Sequence, residues 1–376
     1  MANIFTKSNI KTSDFKSSNM RSLQKNPKMK YFLWRRLGLF VSTTVFFTLH
    51  LFVGFAGTGC GTDHTVSEPT KVVFMAGFKP QANLPFVAAY VAQEKGYFTE
   101  QNLDVEILHS TGQHLQLLMA GEVDITTAAA TSVLKRRSNP GVPIVAFVLF
   151  GQKGQQAFIS LEKSGIRTIK DWEGKTFGFK ISPPPDYLAM LKTVGADRSK
   201  ITEVNAGFDP RVLTQGRVDI LAVYKSNEPN IIRGMGFEVT TWDPEDYGIP
   251  NMGLTYITRE TAVEETPSML ERFTKATLKA TEYIISNEEE VLDIIMKYSP
   301  KEQRAHQRYM LNTELHDSSY ITTEQNRFGW MSNMQWEKLY NHLFEFEALP
   351  NSFDYQTAYT TKILDAIYQK GNLIWP

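Results

Sequence analysis

Aromatic, amide and hydroxyl side chains recur in the segments that follow the predicted strands of this 376-residue chain. Aromatic faces can stack on a planar ring, and amides and hydroxyls can bond to the polar atoms at its edge. Together they indicate a binding site for a flat, neutral, polar heterocycle. The candidate ligand-binding residues are Phe78, Asn83, Phe86, Gln113, Thr127, Gln156, Asp186, Tyr187, Tyr224, Asn227, Glu228, Trp242 and Tyr247.

Several of these candidates also have a plain structural interpretation. Phe78 and Trp242 could pack in a hydrophobic core, and Asp186 could cap a helix. Asn227 and Glu228 could form a turn. Both interpretations stay open at the level of the sequence.

Motifs for catalysis or metal binding are missing from the sequence. Cys60 is the single cysteine, which excludes an intramolecular disulfide and a CxxC metal site. No HExxH, GxSxG or phosphate-binding loop occurs. We therefore expect a protein that is not an enzyme and that uses neither a metal nor a cofactor.

The phrase Gly-x-Val-Asp-Ile occurs twice, at Gly121–Ile125 and at Gly216–Ile220. Each copy ends a helix at glycine and starts a strand, within a pattern of alternating strands and helices. This pattern predicts an α/β fold of two similar lobes. We expect Asp124 and Asp219 to accept backbone N–H groups, and the ligand to lie beyond the carboxyl ends of the strands. Those ends carry Thr126, Thr127 and Ala128 in one lobe, and Val223, Tyr224 and Lys225 in the other.

The N-terminal region carries the signals for location. Residues 1–36 contain nine Lys or Arg and one acid, whereas the remainder has 31 basic and 39 acidic residues, a balance that excludes most nucleic-acid binders. The apolar run Leu37–Ala56 is long enough to span a bilayer. It predicts an export signal or an uncleaved anchor with the body outside the cell membrane. Cys60 follows as a candidate lipidation site, and 61–70 reads as a tether.

The segments "KVVFMAGFKPQANLPFVAAYVAQEKGYF", "LLMAGEVDI" and "SGIRTIKDWEGKTFGF" resemble the periplasmic solute-binding proteins of ABC importers. The similar branch includes thiamine-pyrimidine, alkanesulfonate and nitrate binders. The resemblance implies a two-lobed type II periplasmic-binding-protein fold, in which each lobe is a mixed sheet flanked by helices and two crossing strands form the hinge. It places those strands at "AFISLE" and "LTYITR". It divides the chain into lobe I (71–160), lobe II (161–252) and a return to lobe I with C-terminal helices (253–376).

The resemblance also bears on the ligand. Pyrimidine-binding relatives carry a loop similar to Asp-Trp-x-Pro-Asn-x-Asn-His, where this chain has Gly77, Phe78 and Leu84 in place of the acid, the Trp and the His. The segments "FKPQANLPF", "SPPPD", "GFDPRVL", "KSNEP" and "WDPEDYGIP" look more like riboflavin-binding members. The function implied is a substrate-binding lipoprotein that delivers riboflavin to an ABC permease and its ATPase. The alternatives are a thiamine pyrimidine precursor as ligand, a pyrimidine-synthase-like enzyme, and a ligand-sensing domain.

Overall fold

Alternating strands and helices form the first part of the fold, as the sequence predicts. The computed structural model describes residues 68–318 and 327–376. The elements of this first part are β1 (Thr70–Ala76), α1 (Leu84–Glu94), α2 (Tyr97–Glu100), β2 (Leu103–His109), α3 (His114–Ala120), β3 (Ile125–Ala129), α4 (Ala130–Ser138) and β4 (Ile144–Leu149).

The same alternation restarts after β4 and builds a second lobe. Its elements are β5 (Gln156–Leu161), β6 (Thr176–Phe179), α5 (Pro185–Val194), β7 (Thr202–Asn205), α6 (Arg211–Thr214), β8 (Ile220–Tyr224), α7 (Glu228–Gly234) and β9 (Val239–Trp242).

The chain then returns to the first lobe and continues as helices. These elements are β10 (Leu254–Arg259), α8 (Ala262–Glu265), α9 (Pro267–Ser286), α10 (Glu288–Tyr298), α11 (Arg304–Ser318), α12 (Asn333–Glu345), α13 (Lys362–Ile367) and the short hairpin β11 (Tyr368–Gln369) and β12 (Asn372–Leu373). Pro267 occupies the first turn of α9, where its missing N–H costs no hydrogen bond, and the hydroxyl of the preceding Thr266 donates to the Ala262 carbonyl.

Two mixed sheets organise these elements. The first has the strand order β2-β1-β3-β10-β4 and the second β7-β6-β8-β5-β9. In each sheet three neighbouring strands are parallel, and one strand, β10 or β5, runs antiparallel to both of its neighbours. Helices cover the faces, which agrees with the α/β fold class and the mixed sheets expected from the sequence.

Side chains that alternate along β5 pack into two separate hydrophobic clusters in the second lobe. Phe158 packs with Trp172 and Phe177 on one face, whereas Ala157 and Ile159 belong to the cluster on the other face. Strand side chains alternate between faces, so both faces of this sheet are covered. Burial of one large apolar side chain contributes about 1.5–3 kcal/mol, which makes these clusters the main source of stability in this lobe.

The repeated Val-Asp-Ile phrase makes the same contact in both lobes. The Asp124 carboxylate accepts a hydrogen bond from the backbone N–H of Val73 at 2.8 Å. The Asp219 carboxylate accepts one from the N–H of Thr176, also at 2.8 Å. In each case the aspartate directly precedes a strand, β3 or β8, and fixes its start to the parallel neighbour, β1 or β6. The predicted structural role of the two aspartates is confirmed.

Two connections join the sheets, and they touch where they cross. Residues 150–155 lead from β4 to β5, and residues 243–253 lead from β9 to β10. The Gly253 N–H donates to the Gly151 carbonyl at 2.8 Å. Since β5 pairs within the second sheet, the chain changes lobe before the boundary predicted at residue 160. The segments "AFISLE" and "LTYITR" are the strands that follow each crossing, and the crossings themselves are irregular.

The predicted membrane signals lie largely outside the described residues. This applies to the run Leu37–Ala56, to Cys60 and to most of the tether. Within residues 68–318 and 327–376, the helices lack the combination of length and apolar content that a bilayer span requires.

The close contact between Gly151 and Gly253 gives a first prediction. A Cβ atom at Gly151 would lie 2.7 Å from the Cα of Gly253, against backbone that has no side-chain freedom to move aside. We expect Gly151→Ala to lower the free energy of unfolding by about 1–3 kcal/mol, measured by urea denaturation. Gly234→Ala is the matched control, because a Cβ there meets open space on a helix. The control should be neutral or slightly stabilising, and equal stability of both variants would contradict the prediction.

Candidate functional site

The carboxyl ends of the strands in the two lobes face each other. In the first sheet, β10 begins opposite Ala129, the last residue of β3, and beside Leu149, the last residue of β4. In the second sheet, β5 begins at Gln156, opposite the final residue of β8, Tyr224. Both connections therefore join the carboxyl edge of one sheet to the carboxyl edge of the other. In open α/β sheets this is the edge at which ligands bind.

Large apolar side chains are exposed at these two edges. Phe78 follows β1 and is 55% exposed, whereas Phe208 follows β7 and is 71% exposed. Ile181 follows β6 at 77% exposure, and Tyr224 ends β8 at 52%. Folding alone gains nothing from this exposure, and apolar side chains exposed at the ligand-binding edge of a sheet are candidates for contact with a ligand. We call the three exposed rings, Phe78, Phe208 and Tyr224, the interlobe aromatic surface.

A hydrogen-bonded frame holds Phe78 in the first lobe. The Gly77 N–H donates to the Thr127 hydroxyl at 2.9 Å, and a Cβ at Gly77 would lie only 2.7 Å from the Thr127 carbonyl oxygen. His109 Nδ1 bonds to the Phe78 carbonyl at 3.0 Å, and His109 Nε2 lies 2.9 Å from the Tyr90 hydroxyl.

The tautomer of His109 follows from its partners. A carbonyl can only accept, so Nδ1 carries the proton and Nε2 accepts from Tyr90. Burial lowers the pKa of His109, which agrees with a neutral imidazole at neutral pH. The first lobe thus presents Phe78 on a fixed backbone beside an uncharged histidine.

In the second lobe, an ion pair lies against the aromatic rings. The Lys180 ammonium is 2.6 Å from Glu228 Oε1, and both side chains are nearly buried. The ammonium lies 4.1 Å from the centroid of the Tyr224 ring and 5.9 Å from that of Phe208. Glu228 Oε2 accepts the backbone N–H of Tyr224 at 2.8 Å. Glu228 therefore fixes Tyr224 and holds Lys180 beside two exposed rings.

Helix α11 connects the two lobes through a buried carboxyl group. Glu314 accepts a hydrogen bond from Asn83 of the first lobe at 2.8 Å, and the Ser226 hydroxyl of the second lobe lies 3.4 Å from the same oxygen. On the same helix, Gln307 accepts the N–H of Ala82 at 2.7 Å. Burial raises the pKa of Glu314 to about 7, and the charge of nearby Asp317 acts in the same direction.

A second charged group lies at the hinge itself. Lys225 lies 2.7 Å from Asp243 in the returning connection and 3.2 Å from Asp317 on α11. Gln155, in the outgoing connection, donates to Asp317 at 2.7 Å. Burial raises the pKa of Glu245 to about 7 at the same place. Both connections and α11 are thus tied together by one lysine and its acidic partners.

Three of the predicted ligand-binding residues lie in hydrophobic cores instead of on the exposed edge. Phe86 is buried within α1 of the first lobe, and Trp242 is buried against Trp172 in the second. Tyr187 stacks on Phe177 with ring centroids 4.0 Å apart. For these residues the structure differs from the sequence prediction, because each side chain sits on the inner face of its strand or helix.

Most of the polar candidates make hydrogen bonds inside the protein. Asp186 bonds to His342 at 3.1 Å, so it joins α5 to α12. Asn227 bonds to His306 of α11 at 3.0 Å, and Gln156 donates to the Val223 carbonyl at 3.2 Å. Gln113 accepts from Thr111 within its own loop, and Tyr247 packs partly buried against the second-lobe core.

At the interlobe aromatic surface, the structure brings together Tyr224 and Glu228 in one lobe, and Phe78 and Thr127 in the other.

Sequence reasoning did not single out Lys180, Ile181, Phe208 or Glu314. Lys180 and Ile181 directly follow the strand β6, so the rule that ligands lie beyond strand ends could have found them. Phe208 lies three residues beyond β7. Glu314 carries no local signal, because its role depends on where α11 packs. Within the described parts of the chain, the His, Cys, Asp and Glu side chains form no group of three that could hold a metal ion.

The buried Glu314 gives a prediction on pH. Its folded-state pKa of about 7 lies above the ordinary value of 4.5, so the folded protein binds more protons than the unfolded chain between these pH values. The free energy of unfolding should therefore fall as pH rises from about 4.5 to about 7. Glu314→Gln should make this fall shallower in urea denaturation across that range. The exposed Glu264→Gln is the control and should reproduce the wild-type curve; an unchanged slope in Glu314→Gln would refute the assignment.

Comparison with known proteins agrees with this architecture. A formylaminopyrimidine-binding protein of Halalkalibacterium halodurans is 27% identical over 65% of this chain and 75% of its own length. The riboflavin-binding protein RibY of Chloroflexus aurantiacus is 23% identical over 79% of this chain and 88% of its own. A 4-amino-5-hydroxymethyl-2-methylpyrimidine phosphate synthase of Saccharomyces cerevisiae is 22% identical over 78% of this chain and 88% of its own length.

The fold matches that of solved periplasmic binding proteins. The periplasmic aliphatic sulphonate binding protein SsuA of Escherichia coli superposes with a TM-score of 0.59 at 13% identity, over 77% of this chain and 92% of that one. At this identity the likeness concerns the fold alone. The profile of the NMT1/THI5-like family matches residues 83–291, more than half of the sequence. The chain therefore belongs to the NMT1/THI5-like family and has the two-lobed fold of periplasmic binding proteins.

Proposed function

We propose that this protein is the extracytoplasmic substrate-binding component of an ABC importer, and that it captures a flat vitamin-like heterocycle, riboflavin, between its lobes. The carrying observation is the interlobe aromatic surface, with Phe78 from one lobe and Phe208 and Tyr224 from the other on facing edges. A planar ring bound there would cover apolar area on both lobes at once.

The arrangement suits capture by lobe closure. A ligand that contacts both lobes binds the closed state more tightly than the open one, so it shifts the population toward closure. The two crossing connections allow the lobes to rotate about one point. In this function the closed, loaded protein delivers its ligand to a permease with its ATPase. The candidate anchor at Cys60 or the preceding apolar run would hold it at the outer face of the membrane.

Riboflavin is favoured over a thiamine pyrimidine precursor by the loop after β1. Where the loop of pyrimidine-binding relatives carries an Asp and a His, this chain has Gly77 and Leu84. Leu84 is fully buried at the start of α1, so it offers no polar atom to a ligand. Phe78 keeps an aromatic face, which suits a larger fused ring. Relatives named for each of the two ligands exist, and the pyrimidine precursor is the second candidate.

An enzyme similar to the pyrimidine synthases is the alternative from another class. The resemblance to those synthases implies a cysteine-rich motif together with a lysine and a histidine. The sequence has one cysteine, Cys60, and leucine at the family's loop histidine. Binding without catalysis therefore fits these residues better. A membrane-tethered sensor would use the same site, and a neighbouring gene for a kinase or cyclase, in place of a permease and an ATPase, would indicate that function.

Titration with riboflavin tests the proposal. Residues 61–376 should quench flavin fluorescence on binding, because the isoalloxazine ring would stack on the aromatic side chains. Phe78→Ala and Tyr224→Ala should each weaken binding by about 1–3 kcal/mol, read from the shift of the dissociation constant. Phe344→Ala is the control, since Phe344 is similarly exposed on α12, away from the strand ends.

The contrary outcomes are distinct. Absence of quenching at micromolar protein, together with tight binding of an aminopyrimidine measured by calorimetry, would favour the thiamine precursor. Loss of binding in Phe344→Ala equal to that in Phe78→Ala would place the ligand elsewhere on the protein.

A further inference from the structure

The second lobe holds a carboxylate in which each of the two oxygens already accepts one hydrogen bond. Glu228 Oε1 is bonded to Lys180 and Glu228 Oε2 accepts the Tyr224 N–H. A carboxylate beside an exposed aromatic ring is a natural partner for a basic aminopyrimidine, whose amino group and protonated ring nitrogen can donate to its two oxygens. In this protein the Lys180 ammonium already bonds to one of these oxygens, and the Glu228 side chain is only 5% exposed, so Lys180 competes with a ligand for that mode of recognition.

We infer that Lys180 sets the ligand specificity of the interlobe site, selecting planar rings that carry carbonyl or other acceptor groups and rejecting basic aminopyrimidines. This inference rests on the proposed function and names the class of ligand for that site. It depends on the position of one ammonium group among Glu228, Tyr224 and Phe208.

The hydrogen-bonding capacity of lysine supports this selection. An ammonium group carries three donors and no acceptor, and Glu228 uses one of the three. The donors that remain lie near the Tyr224 and Phe208 rings, where a stacked ligand would present its edge. A ring carbonyl or an unprotonated ring nitrogen can accept from them, whereas an amino group or a protonated nitrogen cannot.

Charge acts in the same direction. The Lys180 side chain is 18% exposed and the Glu228 side chain 5%, so the pair is poorly screened by water. At a distance the opposite charges of the two groups cancel, but the Lys180 ammonium is the one that lies over the Tyr224 ring. A cationic ligand bound beside Tyr224 would lie close to that ammonium, and this repulsion discriminates against it.

A purely structural ion pair makes a different prediction. If Lys180 only stabilised the fold of this edge, its removal would weaken the binding of all ligands to a similar degree. If Lys180 selects the ligand, its removal frees the Glu228 carboxylate, so the affinities for acceptor-rich and basic rings change in opposite directions. The sign of the two changes therefore separates the interpretations.

The experiment uses calorimetric titration of the protein with riboflavin and with 4-amino-5-hydroxymethyl-2-methylpyrimidine. Lys180→Met should lower the affinity for riboflavin about tenfold or more, since one charged hydrogen bond is lost. It should raise the affinity for the aminopyrimidine about tenfold, since the Glu228 carboxylate becomes available. Lys180→Arg should keep the wild-type preference. Combining Lys180→Met with Glu228→Gln should abolish the aminopyrimidine gain.

Lys163→Met is the matched control. The Lys163 ammonium lies 5.0 Å from the Phe237 ring in the same lobe, but it follows β5 at the opposite edge of the sheet. Its removal should leave both affinities unchanged. Thermal melting establishes that each variant is folded, and Lys180→Gln replaces Lys180→Met if the latter fails to fold.

The outcomes separate the inference from the function on which it rests. Equal weakening of both ligands, no change in either, or a wild-type preference for the aminopyrimidine would overturn the inference while leaving a ligand-binding protein. A wild-type protein that binds neither ring would overturn both the inference and the proposed function.

Discussion

The contact between Gly151 and Gly253 is the constraint on which the arrangement of the site depends. The N–H of Gly253 donates to the Gly151 carbonyl, and neither position has room for a Cβ atom. Side chains at either residue would force the connections apart, because the nearest atoms are backbone. Since both connections leave from the carboxyl edges of the sheets, the distance at this crossing sets how closely the two edges approach. A side chain at either glycine would therefore change how the edges that carry Phe78 and Tyr224 approach each other.

Helix α11 adds a polar connection beside this pivot. Its Glu314 reaches both Asn83 and Ser226, and its Asp317 reaches Lys225. These groups are buried, so the loss of any one partner would leave a polar atom without compensation. A buried hydrogen-bonded group has a narrow range of acceptable geometry, so these contacts stabilise the arrangement of the lobes seen in the structure, and rotation of the lobes would have to rearrange them. Burial raises the pKa of Glu314, and its hydrogen-bond partners Asn83 and Ser226 are uncharged.

The scaffold was predictable from the sequence because its signals are local. Alternating strands and helices, helix ends at Gly121 and Gly216, and the role of Asp124 and Asp219 all follow from short stretches of chain. The site was predictable only in part. Phe78 and Tyr224 lie at strand ends as expected, but Tyr187 and Trp242 look the same in sequence and are buried, because the face that a side chain occupies depends on register.

The two lobes share their scaffold contacts and differ at their edges. Asp124 and Asp219 fix equivalent strands through bonds of the same length, so the repeated unit itself provides no means of telling ligands apart. The difference arises in the residues that follow the strands. The first lobe holds Phe78 on a frame with the neutral His109, whereas the second places Lys180 and Glu228 beside Tyr224. Electrostatic selectivity in such a site must therefore come mainly from the second lobe, which holds the charged groups, while the first lobe contributes the uncharged ring of Phe78.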